Sequence, residues 1–209
     1  MRRGLFLSLE GIDGSGKSTQ LRHLVARLEA ETIPHLINRE PGGSAVGREI
    51  RKLLLDPHQH ISPTAELLLY FANRAQNVDE QIRPALEQGK LVLSDRYTDS
   101  TLAYQGAARG LGVQLVQQLH AIACRGTEPE LTIYLRVTPA TSQQRLLEQS
   151  KDRLEAEGAR FHARVYDAYE QLAAQYPGRI VTVDGERDET VIADDIWRLV
   201  ADRWQRRDS

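Results

Sequence analysis

One cysteine, Cys124, is all that the 209 residues contain. A lone thiol forms no disulfide within the chain and supplies no cysteine metal cluster. It falls in a helix-like stretch and reads as a small packing residue. Charge of one sign is also scarce: 27 basic against 29 acidic side chains leave a net charge of −2. Such balance excludes a broad electrostatic grip on nucleic acid and leaves room only for a local cationic pocket. No apolar run approaches the ~20 residues of a membrane helix. Met1-Arg2-Arg3 and the apolar residues after it resemble the start of a signal peptide, but the run stops at Glu10 and leads into a glycine-rich loop, which argues against a leader. The expectation is a cytoplasmic protein with neither nucleic acid nor membrane as partner. The six histidines (His23, His35, His58, His60, His120 and His162) lack metal-ligand spacing and read as surface or packing side chains. Repeats, low-complexity tracts and linkers are absent, so residues 1–209, 41% hydrophobic, read as one domain with a substantial core.

What is present is sharper. Gly11-Ile12-Asp13-Gly14-Ser15-Gly16-Lys17-Ser18 follows the apolar run Leu5-Phe6-Leu7-Ser8-Leu9. It matches G-x-x-x-x-G-K-[ST], the P-loop. Glycines let such a loop curl so that its N–H groups face phosphate oxygens. Lys17 then reaches the β- and γ-phosphates, and the Ser18 hydroxyl can ligand Mg²⁺. Leu21, Leu24, Val25 and Leu28 follow at helical spacing, so a helix N-terminus adds its dipole to the anion site. Gly11, Asp13, Gly14, Ser15, Gly16, Lys17, Ser18 and Thr19 are the expected contacts of a nucleoside triphosphate.

Apolar runs predict strands over 4–9, 35–38, 90–94, 131–137 and 179–183. Helical patterns cover 18–31, 45–55, 65–87, 113–124, 139–148, 160–175 and 189–206. This alternation predicts an α/β, three-layer P-loop NTPase fold, with a five-stranded parallel sheet flanked by helices. Right-handed crossovers gather the strand C-termini on one edge, where ligands bind. That edge collects the P-loop, Arg39-Glu40-Pro41-Gly42-Gly43 and Asp95-Arg96-Tyr97. The polar segment 149–158 reads as a mobile flap.

Asp95 ends an apolar strand. Such an acid orients Mg²⁺ or its water shell beside a P-loop, though many strands end in Asp as a turn former. Arg39, Arg74 and Arg96 carry planar forks suited to phosphate. Three of them beyond the P-loop suggest a second phosphorylated ligand, against the plainer reading of solvated surface arginines. A phosphomonoester acceptor has a second pKa near ~6 and needs no general base, which fits the scattered histidines. Asp13, inside the P-loop, should repel a triphosphate unless a cation or donor intervenes; it can hold a metal-bound water or a substrate hydroxyl.

Four ordered blocks, LEGIDGSGKSTQ, NREPGGSAVGREIRKLLLD, LLLYFANRAQ and LSDRYTDSTLAYQGAARG, resemble those of the thymidylate kinase family over essentially the whole chain. The resemblance implies transfer of a phosphoryl group from ATP, with Mg²⁺, to dTMP, giving dTDP, and a homodimer. It implies that Arg39, Arg74 and Arg96 surround the dTMP phosphate and base, with Arg74 near a thymine carbonyl and Arg51 at the rim. Tyr70 matches the aromatic that stacks on thymine, with Phe71 a neighbouring candidate. Thr101 and Gln105 match positions that hydrogen-bond the base. Tyr104 matches a tyrosine packed at C2′, and Asp13 an acid that meets the substrate sugar or the metal network. Gly14 stands where one group of the family has arginine. The other group draws its catalytic arginine from the flap, often in an arginine-rich run, and that run is thinned here to Arg145-Leu146-Leu147-Glu148-Gln149-Ser150-Lys151-Asp152-Arg153. The expected catalytic set is therefore Lys17, Asp13, Arg96 and Arg153, with Arg145 and Lys151 as neighbours of that last position. A related kinase for another nucleotide, or a nucleotide-binding paralogue with little turnover, would share much of this pattern.

Overall fold

Every residue of Leu5–Glu10 is buried, as a strand covered on both faces by helices must be. A computed structural model describes residues 3–146 and 152–207 of the chain. In it this strand, β1 (Leu5–Glu10), leads through the glycine-rich loop to α1 (Lys17–Ala30), β2 (His35–Arg39) and α2 (Ala45–Leu55). α3 (Pro63–Asn77) runs through a π-helical turn, Val78–Ile82, into α4 (Arg83–Glu87) and β3 (Leu91–Asp95). α5 (Thr98–Thr101) continues into a second π-helical turn, Leu102–Ala108, and then come α6 (Val113–Cys124) and β4 (Leu131–Arg136). α7 (Pro139–Leu146), α8 (Ala159–Gln175), β5 (Ile180–Asp184) and α9 (Glu189–Arg206) complete the order.

The five strands are all parallel, in the order β2-β3-β1-β4-β5. Side chains alternate across β1. Leu5, Leu7 and Leu9 join Leu24 and Leu28 of α1 and Ile192, Ile196 and Val200 of α9. Phe6 joins the opposite layer, with Leu54 of α2, Leu67 of α3, Val116 of α6 and Val165 of α8. Each such side chain, fully buried, contributes ~1.5–3 kcal/mol. The register aligns Leu9 of β1 and Arg39 of β2 with Asp95 of β3. These three neighbouring strands thus end level, and their following loops meet on one edge.

Sequence and structure differ in two places. The single helix expected over 65–87 is interrupted by the π-helical turn before Pro84. Proline lacks an N–H and its ring crowds the carbonyl four residues back, so the chain widens there. Thr98–Ala108 is helical although no helix was expected. Its polar start and its Ala and Gly content carry no apolar period. Of the expected flap and the helix before it, residues 147–151, Gln149, Ser150 and Lys151 among them, lie outside the described residues.

Candidate active site

Side chains cap the N-termini of three long helices. Ser44 Oγ accepts from Gly47 N, Ser62 Oγ from Ala65 N, and Asp188 from Thr190 N and Val191 N. α1 has no such cap; Gly16 precedes it at φ 95°. Its first-turn N–H groups are therefore left for an anion. Gly14 (φ +73°) has a second reason to be glycine. A Cβ there would lie 2.9 Å from the Ser142 carbonyl oxygen of α7. Ser142 Oγ also donates to the Asp13 carbonyl at 2.7 Å. α7 is seated directly on the P-loop, where a side chain at position 14 would stand.

The Lys17 ammonium is buried and donates to the carbonyls of Gly11 (2.9 Å) and Ile12 (3.0 Å). Burial, and then the charge of Arg96, lower its pKa to about 8. Asp13 accepts from the Arg96 guanidinium and from the Tyr104 hydroxyl, the latter at 2.9 Å. Burial alone would raise its pKa, but Arg96 and Lys17 override that and hold it at about 2. Asp13 is a carboxylate at any physiological pH.

Arg96 has φ 71°, a left-handed backbone that costs a non-glycine residue of order 1–3 kcal/mol. Neighbours hold it there. Its N–H donates to Leu9 O (3.0 Å), its carbonyl accepts from Ser94 Oγ (2.7 Å), and the next N–H, of Tyr97, donates to Glu10 Oε1 (2.6 Å). Nη1 donates to Gly11 O (3.0 Å) and Ser100 Oγ (3.1 Å). Glu10 is fully buried and also accepts from Ser100 Oγ (2.5 Å) and Tyr169 Oη (2.9 Å). Burial, and then the charge of Asp99, push its pKa up to about 7.

These groups border a cleft of about 430 Å³ on the strand-end edge. The cleft brings together Asp13, Gly14, Gly16, Lys17, Ser18 and Thr19 with Arg39, Arg51, Arg74, Asp95 and Arg96, and with Tyr70, Thr101, Tyr104 and Gln105. Arg39 is largely exposed, with Nε 3.5 Å from Asp95 Oδ2. Asp95 Oδ1 and Thr101 Oγ1 are buried and have no hydrogen-bond partner among the described residues. Arg51 Nη1 donates to Pro41 O at 2.8 Å. Arg74 is 1% exposed; its Nε donates to Glu40 Oε2 at 2.7 Å and its guanidinium lies over the rings of Phe71 and Tyr97. No histidine borders the cleft among the described residues.

Four expected site residues stand apart from the cleft wall. Gly11 and Ser15 form the inner turn of the P-loop behind it. Phe71 packs in the core beneath Arg74, whereas Tyr70 borders the cleft. Arg153 is held away: Nε donates to Leu54 O at 2.8 Å and Nη2 lies 2.6 Å from Glu66 Oε2. Arg145 borders the cleft and donates to the carbonyls of Gly14 (3.2 Å) and Gly185 (3.1 Å). Residues that sequence reasoning missed are the buried acids Glu10, Glu40 and Glu66 and the hydroxyls of Ser100 and Tyr169. The only sequence signal for any of them is an acid closing an apolar strand (Glu10) or following one (Glu40).

Known proteins resemble the chain over nearly its full length. A family model described as "Thymidylate kinase" matches residues 9–196. A protein of Thermoanaerobacter sp. (strain X514) named "Thymidylate kinase" is 44% identical over 198 residues, covering 95% of this chain and 98% of the relative. One of Deinococcus radiodurans with the same name is 46% identical over 204 residues, covering 97% and 99%. A third, of Halothermothrix orenii, is 46% identical over 202 residues, covering 95% and 97%. With this likeness along nearly its full length, the chain belongs to the thymidylate kinase family.

Proposed function

We infer that this chain is a dTMP kinase. It moves the γ-phosphoryl group of ATP onto the phosphate of dTMP, giving dTDP and ADP on the route to dTTP. The observation that carries this reading is one cleft joining a P-loop to a second cationic wall, Arg39, Arg74 and Arg96, in a chain of this family. A triphosphate fits the loop and α1; a monophosphate fits the arginines. Tyr70 offers a face for the thymine ring, and Thr101 and Gln105 offer polar groups to its edge. Tyr104 crowds C2′ of the sugar.

In the reaction a dTMP phosphate oxygen attacks the γ-phosphorus in line. A new P–O bond forms, the bond to the β,γ-bridging oxygen breaks, and its electron pair leaves with ADP. The dianionic acceptor needs no base. Lys17 and Arg96 meet the charge on the transferring group. Asp13 holds Arg96 in place through a charge-assisted pair. Arg153 joins them only when its pair with Glu66 opens, as the 152–158 segment moves over bound nucleotides and excludes water.

The oxygen donors of the cleft fit Mg²⁺, which takes one or two protein oxygens and completes its shell with water and phosphate. Ser18 Oγ and the unpartnered Asp95 Oδ1 would hold it. Bound there, it neutralises phosphate charge. No helix among the described residues is long and apolar enough to cross a membrane. A cytoplasmic site of action suits the nucleotide substrates and the buried free thiol of Cys124. A homodimer is supported by apolar side chains on the outer faces of the α2–α3–α6 layer: Leu53, Leu68 and Ile122 are 48%, 50% and 73% exposed.

The test is a steady-state assay with dTMP, dUMP, dCMP, dGMP and AMP as acceptors. A clear preference for dTMP is expected. Preference for another monophosphate reassigns the substrate, and binding of dTMP and ATP without dTDP formation refutes the enzyme.

A further inference from the structure

Glu66 lies on α3 at the head of a face that continues with Tyr70 and Arg74, spaced i, i+4, i+8. The two later residues border the cleft; Glu66 does not. Its carboxylate is completely buried, accepts from two side chains and lies beside a third, cationic one. Gln105 Nε2 donates to Oε1 at 2.8 Å. Arg109 forks onto both oxygens, Nε to Oε1 and Nη2 to Oε2, each at 3.2 Å. Arg153 Nη2 lies 2.6 Å from Oε2. Burial opposes ionisation here, but the hydrogen bonds of Gln105 and Arg109 and the charge of Arg109 outweigh it and lower the pKa. An ionised carboxylate only accepts.

That fact settles the orientation of the Gln105 amide, which borders the cleft and is itself 1% exposed. Turned by 180°, the amide would set its carbonyl oxygen against a carboxylate oxygen. Two buried acceptors would then face each other, the amide oxygen with no donor from the carboxylate, a costly arrangement in a low-dielectric interior. The network therefore assigns the orientation on chemical grounds. One hydrogen of Nε2 is committed to Glu66. What remains for a ligand is Oε1 as acceptor beside the second Nε2 hydrogen as donor.

We propose that Glu66 is a positioning residue for base selection, which locks Gln105 so that the cleft reads an imide edge and rejects an amidine edge. This rests on the reading of the cleft as the dTMP site. Thymine and uracil present a ring N–H donor beside a carbonyl acceptor, the complement of the locked amide. Cytosine presents a ring nitrogen acceptor beside an amino donor, which only the flipped amide would match. Glu66 penalises that flip. A site that leaves a buried polar group unpaired rejects the wrong ligand far more strongly than one that merely lacks a contact.

Glu66→Gln is the test, because glutamine can accept or donate and no longer dictates the flip. Specificity constants and calorimetric affinities for dTMP and dCMP are measured on the parent and the variant. The expected result is a fall of about tenfold or more in the preference for dTMP over dCMP, through KM for the nucleotides more than kcat. A merely structural Glu66, anchoring Arg109 and Arg153, would lower both substrates alike, and an unchanged ratio overturns the proposal. A parent protein with no preference for dTMP overturns the dTMP reading itself and the proposal with it. Should Glu66→Gln not fold, the side-chain amide of Gln105 is followed by NMR in the intact protein, assigned by its disappearance in Gln105→Met. One proton protected from exchange and shifted downfield supports the lock; two equivalent, freely exchanging protons refute it.

Discussion

Replacing Arg74 with alanine should cost stability as well as acceptor binding. The Arg74–Glu40 pair is buried on both sides, with side chains each 1% exposed and Nε 2.7 Å from Oε2. Truncation of one partner strands the other. Glu40 would keep only a long contact to Asn38 Nδ2 at 3.5 Å and its neighbour Asn77. Breaking a buried pair from one side costs about 3–5 kcal/mol. In a chain of this size that is a fall in Tm of about 6–20 °C. The deficit should depend on pH. Burial already raises the pKa of Glu40, with Arg74 acting against it, and the variant loses that opposition. A carboxyl whose folded pKa exceeds its unfolded value loses stability as pH rises through the folded pKa. Arg74→Ala should therefore melt closer to the parent at acid pH than at pH ~8, where Glu40 would have to ionise alone. Thermal melts across this range, followed by circular dichroism, measure it. The double variant Glu40→Gln with Arg74→Met removes both charges and should recover most of the Tm. Acceptor binding should stay weakened in the double variant by roughly 1–3 kcal/mol, the value of a lost ligand-facing donor. A single variant that melts within about 2 °C of the parent at neutral pH, where about 6–20 °C is expected, would refute the pairing energetics. A double variant with normal dTMP affinity would remove Arg74 from the pocket.

Lys17→Ala should lower turnover by orders of magnitude while calorimetric dTMP affinity stays nearly intact, since Lys17 serves the donor side; parallel loss of both would refute that division. Tyr104→Ala should relax the ratio of specificity constants for dTMP over ribo-TMP. Tyr104→Phe, which keeps the ring but removes the 2.9 Å bond to Asp13, should keep that ratio and lower turnover instead; equal effects of the two variants would place sugar selection elsewhere. Arg153→Ala should reduce turnover at saturating ATP and dTMP more than Arg145→Ala, whose main effect should be a higher KM for ATP because Arg145 rests on the P-loop carbonyl of Gly14. The reverse order would make Arg145 the arginine that meets the transition state, with Arg153 a strut for Glu66.

The parts of this protein legible in its sequence are those whose cause is local. The five expected strands lie each within a residue or so of the observed ends; in β1, β3 and β4 burial on both faces leaves a continuous apolar signature, while the edge strands β2 and β5 are only partly buried. The P-loop is legible because its glycines and lysine are adjacent in the chain. The helical segment Thr98–Ala108 was not, since its first turn buries the polar Asp99, Ser100 and Thr101, which carry no apolar period. Asp99, for example, receives both Nη atoms of Arg179, at 2.6 and 2.8 Å. Nor was the use of Glu10. Its donors Tyr97, Ser100 and Tyr169 lie 87, 90 and 159 positions away. Pattern reading sees an acid after an apolar run and ends the strand there; only the sheet order brings the donors to it.

Three buried acids share one logic. Glu10 braces the Ser100 and Tyr169 hydroxyls behind Arg96, Glu40 holds Arg74, and Glu66 holds Arg109, Arg153 and Gln105. Glu10 and Glu66 stand behind the groups that face the cleft or move over it, and Glu40, at the cleft's border, is buried against Arg74. A pocket for two anionic nucleotides needs several cations close together, and two like charges 4 Å apart repel by about 4 kcal/mol at an effective dielectric near 20. Without counter-charges the guanidinium groups would swing out to solvent and have to be gathered again at each binding event. Acids in front of them would neutralise the pocket and repel phosphate. Acids behind them leave the forks pointing forward and already ordered, so that less of the binding energy goes to immobilising side chains. The acids that do border the cleft, such as Asp13 and Asp95, have cations beside them: Asp13 is paired with Arg96 and Asp95 lies beside Arg39. The carboxylates that weaken a sequence-based case for an anion site are, in the folded chain, what keeps its arginines in place.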